Sequence, residues 1–247
     1  THRGRALSRT SYYPRPGLRF LNPISYYQFL IMDITPDSVR QLLSSSNLGD
    51  RLKAVNQLRQ LTPSIAFEIL QVACGDSDTR VRYAAISQLS SLGRENLAQS
   101  EEILRDRLLN DPEPDVQAAA ADSLGGLQLT NAFEDLQQVY QTTPEWLVKM
   151  SIVAAMGELG DSRAFSILED ALKSDNELIQ TMAISALGEL GQPQAIPLLL
   201  PFADYGDWQV RFKLVQALSQ LGGPEAKATL DKLTQDKSEP VATAAKM

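Results

Sequence analysis

A phrase of helical spacing returns along this chain at an almost fixed interval. It reads GDRLKAVNQLRQL at 49–61, VRYAAISQLSSLG at 81–93, VQAAAADSLGGL at 116–127 and VKMSIVAAMGELG at 148–160. It continues as IQTMAISALGELG at 179–191 and VRFKLVQALSQLG at 210–222, with a partial copy, VATAAKM, at 241–247. The central residues are Leu58, Leu89, Leu124, Met156, Leu187 and Leu218, so the intervals are 31, 35, 32, 31 and 31. Counting Val81 as position 0, positions 0, 4, 5, 8 and 11 are apolar, which lays one stripe along a helix. Self-similarity at this period means one supersecondary unit stacked repeatedly on itself.

A second helix lies between the copies: TPDSVRQLLSS, SIAFEILQVAC, SEEILRDRLLN, AFEDLQQVYQT, RAFSILEDALKS, AIPLLLPFADY and EAKATLDKLTQ. Apolar residues recur in them at three- and four-residue spacing. DSD, NDPEPD, KSDNE and YGDW supply a short turn whose Asp or Asn can cap the next helix. Gly93, Gly160, Gly191 and Gly222 stand where a left-handed residue would end it, and Gly125–Gly126 reads as a close-packed break. The unit is therefore helix A, turn, helix B, glycine break. The expected fold is all-α, an α-solenoid of about seven short hairpins in a right-handed superhelix. Thr35 and Pro36 predict the first cap and first helical residue, and Asp50, where valine would stand, predicts a polar capping repeat.

The repeat domain is expected over 33–247 and a flexible basic leader over 1–32. Residues 1–31 hold Arg3, Arg5, Arg9, Arg15 and Arg19, no acid, and neither helical nor strand periodicity. Such a segment reads as an upstream extension or, on its arginine content, a targeting or docking peptide. From Met32 onward, 23 − 5 = 18 basic residues face 30 acidic ones, a net charge of −12. That balance argues against a sequence-independent nucleic-acid binder. No run of 18 apolar residues suggests a membrane span, and a single cysteine, Cys74, fits a reducing, cytoplasmic location.

Catalytic constellations are missing from the repeat region. The one histidine, His2, lies in the leader, so no Ser–His or Cys–His pair can form within the repeats. There is no His pair, no Cys-x-x-Cys and no G-x-x-x-x-G-K-S/T phosphate loop. Glu101–Glu102 and Glu169–Asp170 read as solvated faces of A helices. The chain is expected not to be an enzyme, to hold no resident metal and to act by binding. Cys74 reads as a small core residue, with a thiolate ligand to an iron–sulfur cluster or a bilin attachment point as the sharper alternatives.

The phrases DSDTRVRYAAISQLSSLG and DYGDWQVRFKLVQALSQLG resemble HEAT repeats. GELGDSRAFSILEDALKSDNELIQTMAISALGELG is similar to the short-period branch of that family found in bilin lyase-like (PBS lyase) proteins. Over its length the chain, from DITPDSVRQLL through EWLVKMSIVAAMGELGD, resembles the phycobilisome-degradation class of these proteins. It also resembles a related HEAT protein that partners an A-type iron–sulfur carrier. The first resemblance implies a scaffold acting on phycobiliprotein subunits and their bilin chromophores, with weak bilin lyase or chromophore-detaching activity as the enzymatic alternative. The second implies a scaffold holding a carrier and its cluster.

That resemblance also implies that the B helices line the concave surface. Position 2 then presents Tyr83, Ala118, Met150, Thr181 and Phe212, and position 1 presents Arg82, Gln117, Lys149, Gln180 and Arg211. Trp146 and Trp208, the two tryptophans, both stand two residues before position 0. Aromatic, Met and basic groups together suit another protein's helix, an acidic one, or the propionates of a tetrapyrrole. The alternative for Arg82, Lys149 and Arg211 is an inter-repeat ladder with Asp78, Asp115 or Asp207. For the tryptophans it is a lid over each hairpin.

Overall fold

The computed structural model describes residues 34–246. Fourteen α-helices pair into seven hairpins, and among the described residues there is no strand. The A helices are α1 (Pro36–Leu43), α3 (Pro63–Cys74), α5 (Leu97–Asn110), α7 (Phe133–Thr142), α9 (Phe165–Ala171), α11 (Ile196–Leu199) and α13 (Gly223–Leu233). The B helices are α2 (Leu48–Gln57), α4 (Thr79–Leu92), α6 (Pro114–Gly126), α8 (Trp146–Leu159), α10 (Glu177–Leu190), α12 (Trp208–Leu221) and α14 (Glu239–Ala244). Helix α11 is short because Pro201 cannot donate the next helical hydrogen bond, and the chain tightens into a 3-10 turn over Leu200–Asp204. The described residues form one compact unit, and the leader lies outside them.

The stripe at positions 0, 4, 5, 8 and 11 builds the core. Val148, Ile152, Val153, Met156 and Leu159 of α8 are all buried, as are Val210, Leu214, Val215 and Leu218 of α12. Each full burial contributes roughly 1.5–3 kcal/mol, and no hairpin could enclose such a stripe without neighbours. Hence stacking makes the fold.

Local signals start and stop the helices. Thr35 caps α1 and forms a reciprocal capping box with Ser38. Asp78, Asn176 and Asp207 accept backbone amides at the starts of α4, α10 and α12. Gly160, Gly191 and Gly222 have φ of 65°, 70° and 66°, as a helix stop requires. Gly93 departs from the expectation: its φ of −65° is right-handed. A Cβ there would lie 2.8 Å from both Leu127 Cδ1 and Ser100 Oγ, so close approach demands the glycine. In the third repeat helix α6 continues through Gly126, and the positive φ falls on Gln128, at 55°.

Neighbouring B helices touch more extensively than neighbouring A helices. The cause is a small residue at position 9. A Cβ added to Gly125, Gly157 or Gly188 would lie 2.7, 2.7 or 2.6 Å from the Cα of Ala155, Ala186 or Ala217. Each of these alanines occupies position 7 of the next repeat. Closer spacing in one layer is what curves a stack of repeats, with the tighter B layer on the inner side.

Candidate functional site

Arg82 and Arg211, expected on the partner-facing surface, are instead buried, 7% and 3% exposed. Arg82 donates from Nη1 to the Asp76 and Ser77 carbonyls (3.0 and 3.3 Å), closing the turn of its own hairpin. Its Nε and Nη2 meet the Asp111 carboxylate of the next hairpin at 2.8 and 2.9 Å. Arg211 repeats the pattern with the Tyr205 and Gly206 carbonyls and with Asp236 at 2.7 and 2.9 Å. Arg51, at the same register, reaches Asp76 at 2.9 Å and the Ser45 carbonyl at 3.1 Å. A ladder exists, but its acids come from the following turn rather than being Asp78, Asp115 or Asp207. Where position 1 is glutamine, Gln117 and Gln180 close the turn with one bond each, to the carbonyls of Asp111 and Leu172. Burial pushes the Asp111 carboxyl up, but Arg82, the Glu113 amide and Arg107 together hold it below the usual carboxylate range. The Arg211 hydrogen bond does the same for Asp236.

Lys149 is also diverted. Its Nζ stands 5.7 Å from the centroid of the Tyr140 ring. Tyr140 donates to Asp170 at 3.1 Å, and burial with that carboxylate beside it pushes its phenol up to about 12. Arg82 and Arg211 are therefore held in buried ion pairs, whereas Lys149, half-buried over a neutral ring, keeps its charge.

The remaining expected residues do reach the surface. Tyr83, Trp146 and Trp208 are 48%, 48% and 43% exposed, so about half of each ring is left in water. Tyr83 and Met150 line an open-sided groove of about 480 Å³ across α4, α6 and α8. Ala118, Ala119, Leu147 and Ser151 line it too, Asp115 and Asp122 add carboxylates, and Arg80 adds a guanidinium. Phe212 is half-buried and lines a second groove over α10, α12 and α14. A third, of about 690 Å³, is floored by Gly125, Gly157 and Gly188 and edged by Glu158 and Glu189. Trp146 is the first residue of α8 and Trp208 of α12, two hairpins apart.

Sequence reasoning missed Asp122, Glu158 and Glu189. They occupy positions 6 and 10, which continue position 2 along one helix face at four-residue spacing. The signal was therefore present in the register. Burial pushes the Glu158 carboxyl up, and the negative charges of Glu189 and Asp122 push it further. The three acids thus form one self-repelling track across α6, α8 and α10.

Cys74 is 3% exposed in the core, and burial pushes its thiol up to about 12. At neutral pH it is a thiol rather than a thiolate, enclosed among core side chains. Among the described residues no three His, Cys, Asp or Glu side chains are grouped to hold a metal, and no helix is long and apolar enough to cross a membrane.

Comparison with known proteins agrees with this architecture. No curated protein sequence matches the chain. Among solved structures it is similar to the complex of CpcE and CpcF of phycocyanin lyase from Nostoc sp. PCC7120. That match has a TM-score of 0.61 at 21% identity, covering 96% of this chain and 90% of that one. It is similar also to a Kap121p mutant, with a TM-score of 0.61 at 15% identity over 85% of this chain and 26% of that one. An engineered protein matches with a TM-score of 0.56 at 18% identity, over 85% of this chain and 66% of that one. At such identities the likeness is one of fold. The model of HEAT repeats matches residues 101–181 and 168–247. With its stacked hairpins, periodic core and inner layer of B helices, the chain belongs to the HEAT-repeat family.

Proposed function

We propose that this chain is a protein-binding scaffold that holds an α-helical segment of a phycobiliprotein subunit on its inner face. The observation that carries the reading is the Tyr83–Met150 groove, which crosses three consecutive B helices, with Trp146 exposed at the start of the helix that carries Met150. Large aromatic side chains left half in water beside an apolar groove are the usual anchors of a protein interface. The choice of phycobiliproteins rests on the bilin lyase-like character of the repeats and the fold shared with the phycocyanin lyase complex. On this reading the chain grips the protein, and any chromophore handling acts on the bilin carried by that partner. A carrier of iron–sulfur clusters gains no support from Cys74.

The test is a titration of the full chain with chromophorylated phycocyanin, followed by anisotropy and absorbance. Tyr83→Ala and Trp146→Ala should each weaken binding by roughly thirtyfold, about 2 kcal/mol, with little change in Tm. Leu187→Ala should do the reverse, costing ~2–5 kcal/mol of stability while the folded fraction binds normally. Absence of binding by the native chain, or native affinity in both aromatic variants, would refute the assignment.

A further inference from the structure

The inner face carries a charge opposite to the one its arginines suggest. Arg82 and Arg211 are consumed by the ladder, and Arg80, which lines the groove, is chelated by Asp78 through Nε and Nη2 at 3.1 and 3.0 Å; Lys149 packs over the Tyr140 ring with its charge intact. What faces outward beside the apolar groove is Asp122, with Glu158 and Glu189 beyond it, and none of the three has an ion-pair partner among the described residues. Lys213 is the nearby base whose charge Glu189 feels. Arg94, at the edge of the glycine-floored groove, donates to the Gly126 carbonyl at 3.3 Å.

The backbone adds to the same sign. Glu158 and Glu189 lie in the last turns of α8 and α10, where unsatisfied carbonyls concentrate partial negative charge. The last turns of α4, α6, α8, α10 and α12 contain no basic residue to offset it. Bringing several negative ends to one face costs stability, which a partner's positive charge would recover.

We propose that the inner face docks a cationic amphipathic helix of another protein, its apolar side chains in the Tyr83–Met150 groove and its lysines or arginines along Asp122, Glu158 and Glu189. The inference rests on reading this face as partner-binding and specifies the chemistry that the partner must bring. An open-sided groove over three parallel ridges suits one side of a helix rather than an enclosed small molecule. Charge complementarity selects the occupant: a propionate or an acidic helix would meet Asp122, Glu158 and Glu189, which outnumber Arg94, an arginine of this face with no ion pair among the described residues. The acid track runs from the groove toward the C-terminal ends of α8 and α10, so the basic flank of the helix must lie on that side.

Two synthetic helical peptides test this, identical in their leucine face, one flanked by lysines and the other by glutamates. Each is labelled and titrated with the full chain. The lysine peptide should bind at least about tenfold more tightly at low salt, with the preference fading toward about 1 M salt. In an Asp122→Asn, Glu158→Gln, Glu189→Gln variant the preference should fall to within about twofold, without loss of Tm, since the changes remove repulsion. Tyr83→Ala should weaken both peptides alike. Equal binding, a preference for glutamate, or a lysine preference untouched in the triple variant overturns the charge assignment while leaving the scaffold reading intact. Binding of neither peptide overturns the docking proposal. Failure of phycocyanin alone to bind overturns only the choice of that partner.

Discussion

At the scale of single residues, the ion pairs of the ladder and the unpaired acids of the inner face respond oppositely to pH. Asp111 is fully buried with Arg82, and its folded pKa lies below the unfolded value near 4. Its stabilisation is therefore present above that value and lost as pH falls through the folded pKa. Arg82→Met leaves the carboxylate buried with only the longer Arg107 contact at 3.3 Å and the Glu113 amide at 3.1 Å. The change should cost about 3–5 kcal/mol near neutrality. In that variant desolvation dominates and raises the Asp111 pKa, so the loss should shrink on acidification, as denaturant melts across pH would show. Glu158 and Glu189 have folded pKa values above the ordinary carboxylate value. The folded state binds their protons more readily, so they oppose folding at neutral pH and relax as pH falls through the raised pKa. Glu158→Gln should raise Tm at pH 7, and the gain should vanish in acid. A gain that persists below the carboxylate range would contradict this.

At the scale of elements, two adjacent kinds of glycine have opposite roles. Gly157 sits where α8 meets α10, and a Cβ would press on backbone, 2.7 Å from Ala186 Cα and 3.0 Å from its carbonyl oxygen. Neither helix can yield without opening the B layer, so Gly157→Ala should cost about 1–3 kcal/mol by overpacking. Gly126, one residue beyond the contact glycine of α6, has ordinary helical φ, and its nearest neighbour is the flexible Glu158 carboxylate at 3.7 Å. Gly126→Ala should stabilise by about 0.4–1 kcal/mol, because it restricts the unfolded chain without a clash. Equal and opposite denaturant shifts are not required, but the signs are. Sequence alone shows two glycines in a helix end, with nothing to tell contact from convenience.

At the scale of the whole molecule, a solenoid gains stability from interfaces between neighbours rather than from distant parts. The described unit contains all seven hairpins, and its first cap, Thr35, is complete within it. A chain shortened to residues 33–247 should therefore melt cooperatively, at a Tm close to that of the full chain. Loss of cooperativity on removing the leader would show that the first hairpin depends on it. The terminal helix α14, six residues long with Val241 as its buried anchor, should exchange its amides before the central helices do.

The 31-residue rhythm by itself determined the hairpins, their order and the core. Helical periodicity and glycine stops are local, and a repeated stripe has only its neighbours to pack against. The faces of Tyr83, Trp146 and Met150 were legible for the same reason, since position in a register fixes direction on a helix. What an exposed-looking charge does was decided only by the tertiary structure. Arg82 and Arg211 find Asp111 and Asp236 across an interface 29 and 25 residues away, whereas Asp78 and Asp207 cap their own helices. An arginine is long enough to turn inward or outward from one backbone position. Which way it turns depends on the carbonyls and carboxylate that the stacking brings within reach, and so does the sign of the face it leaves behind.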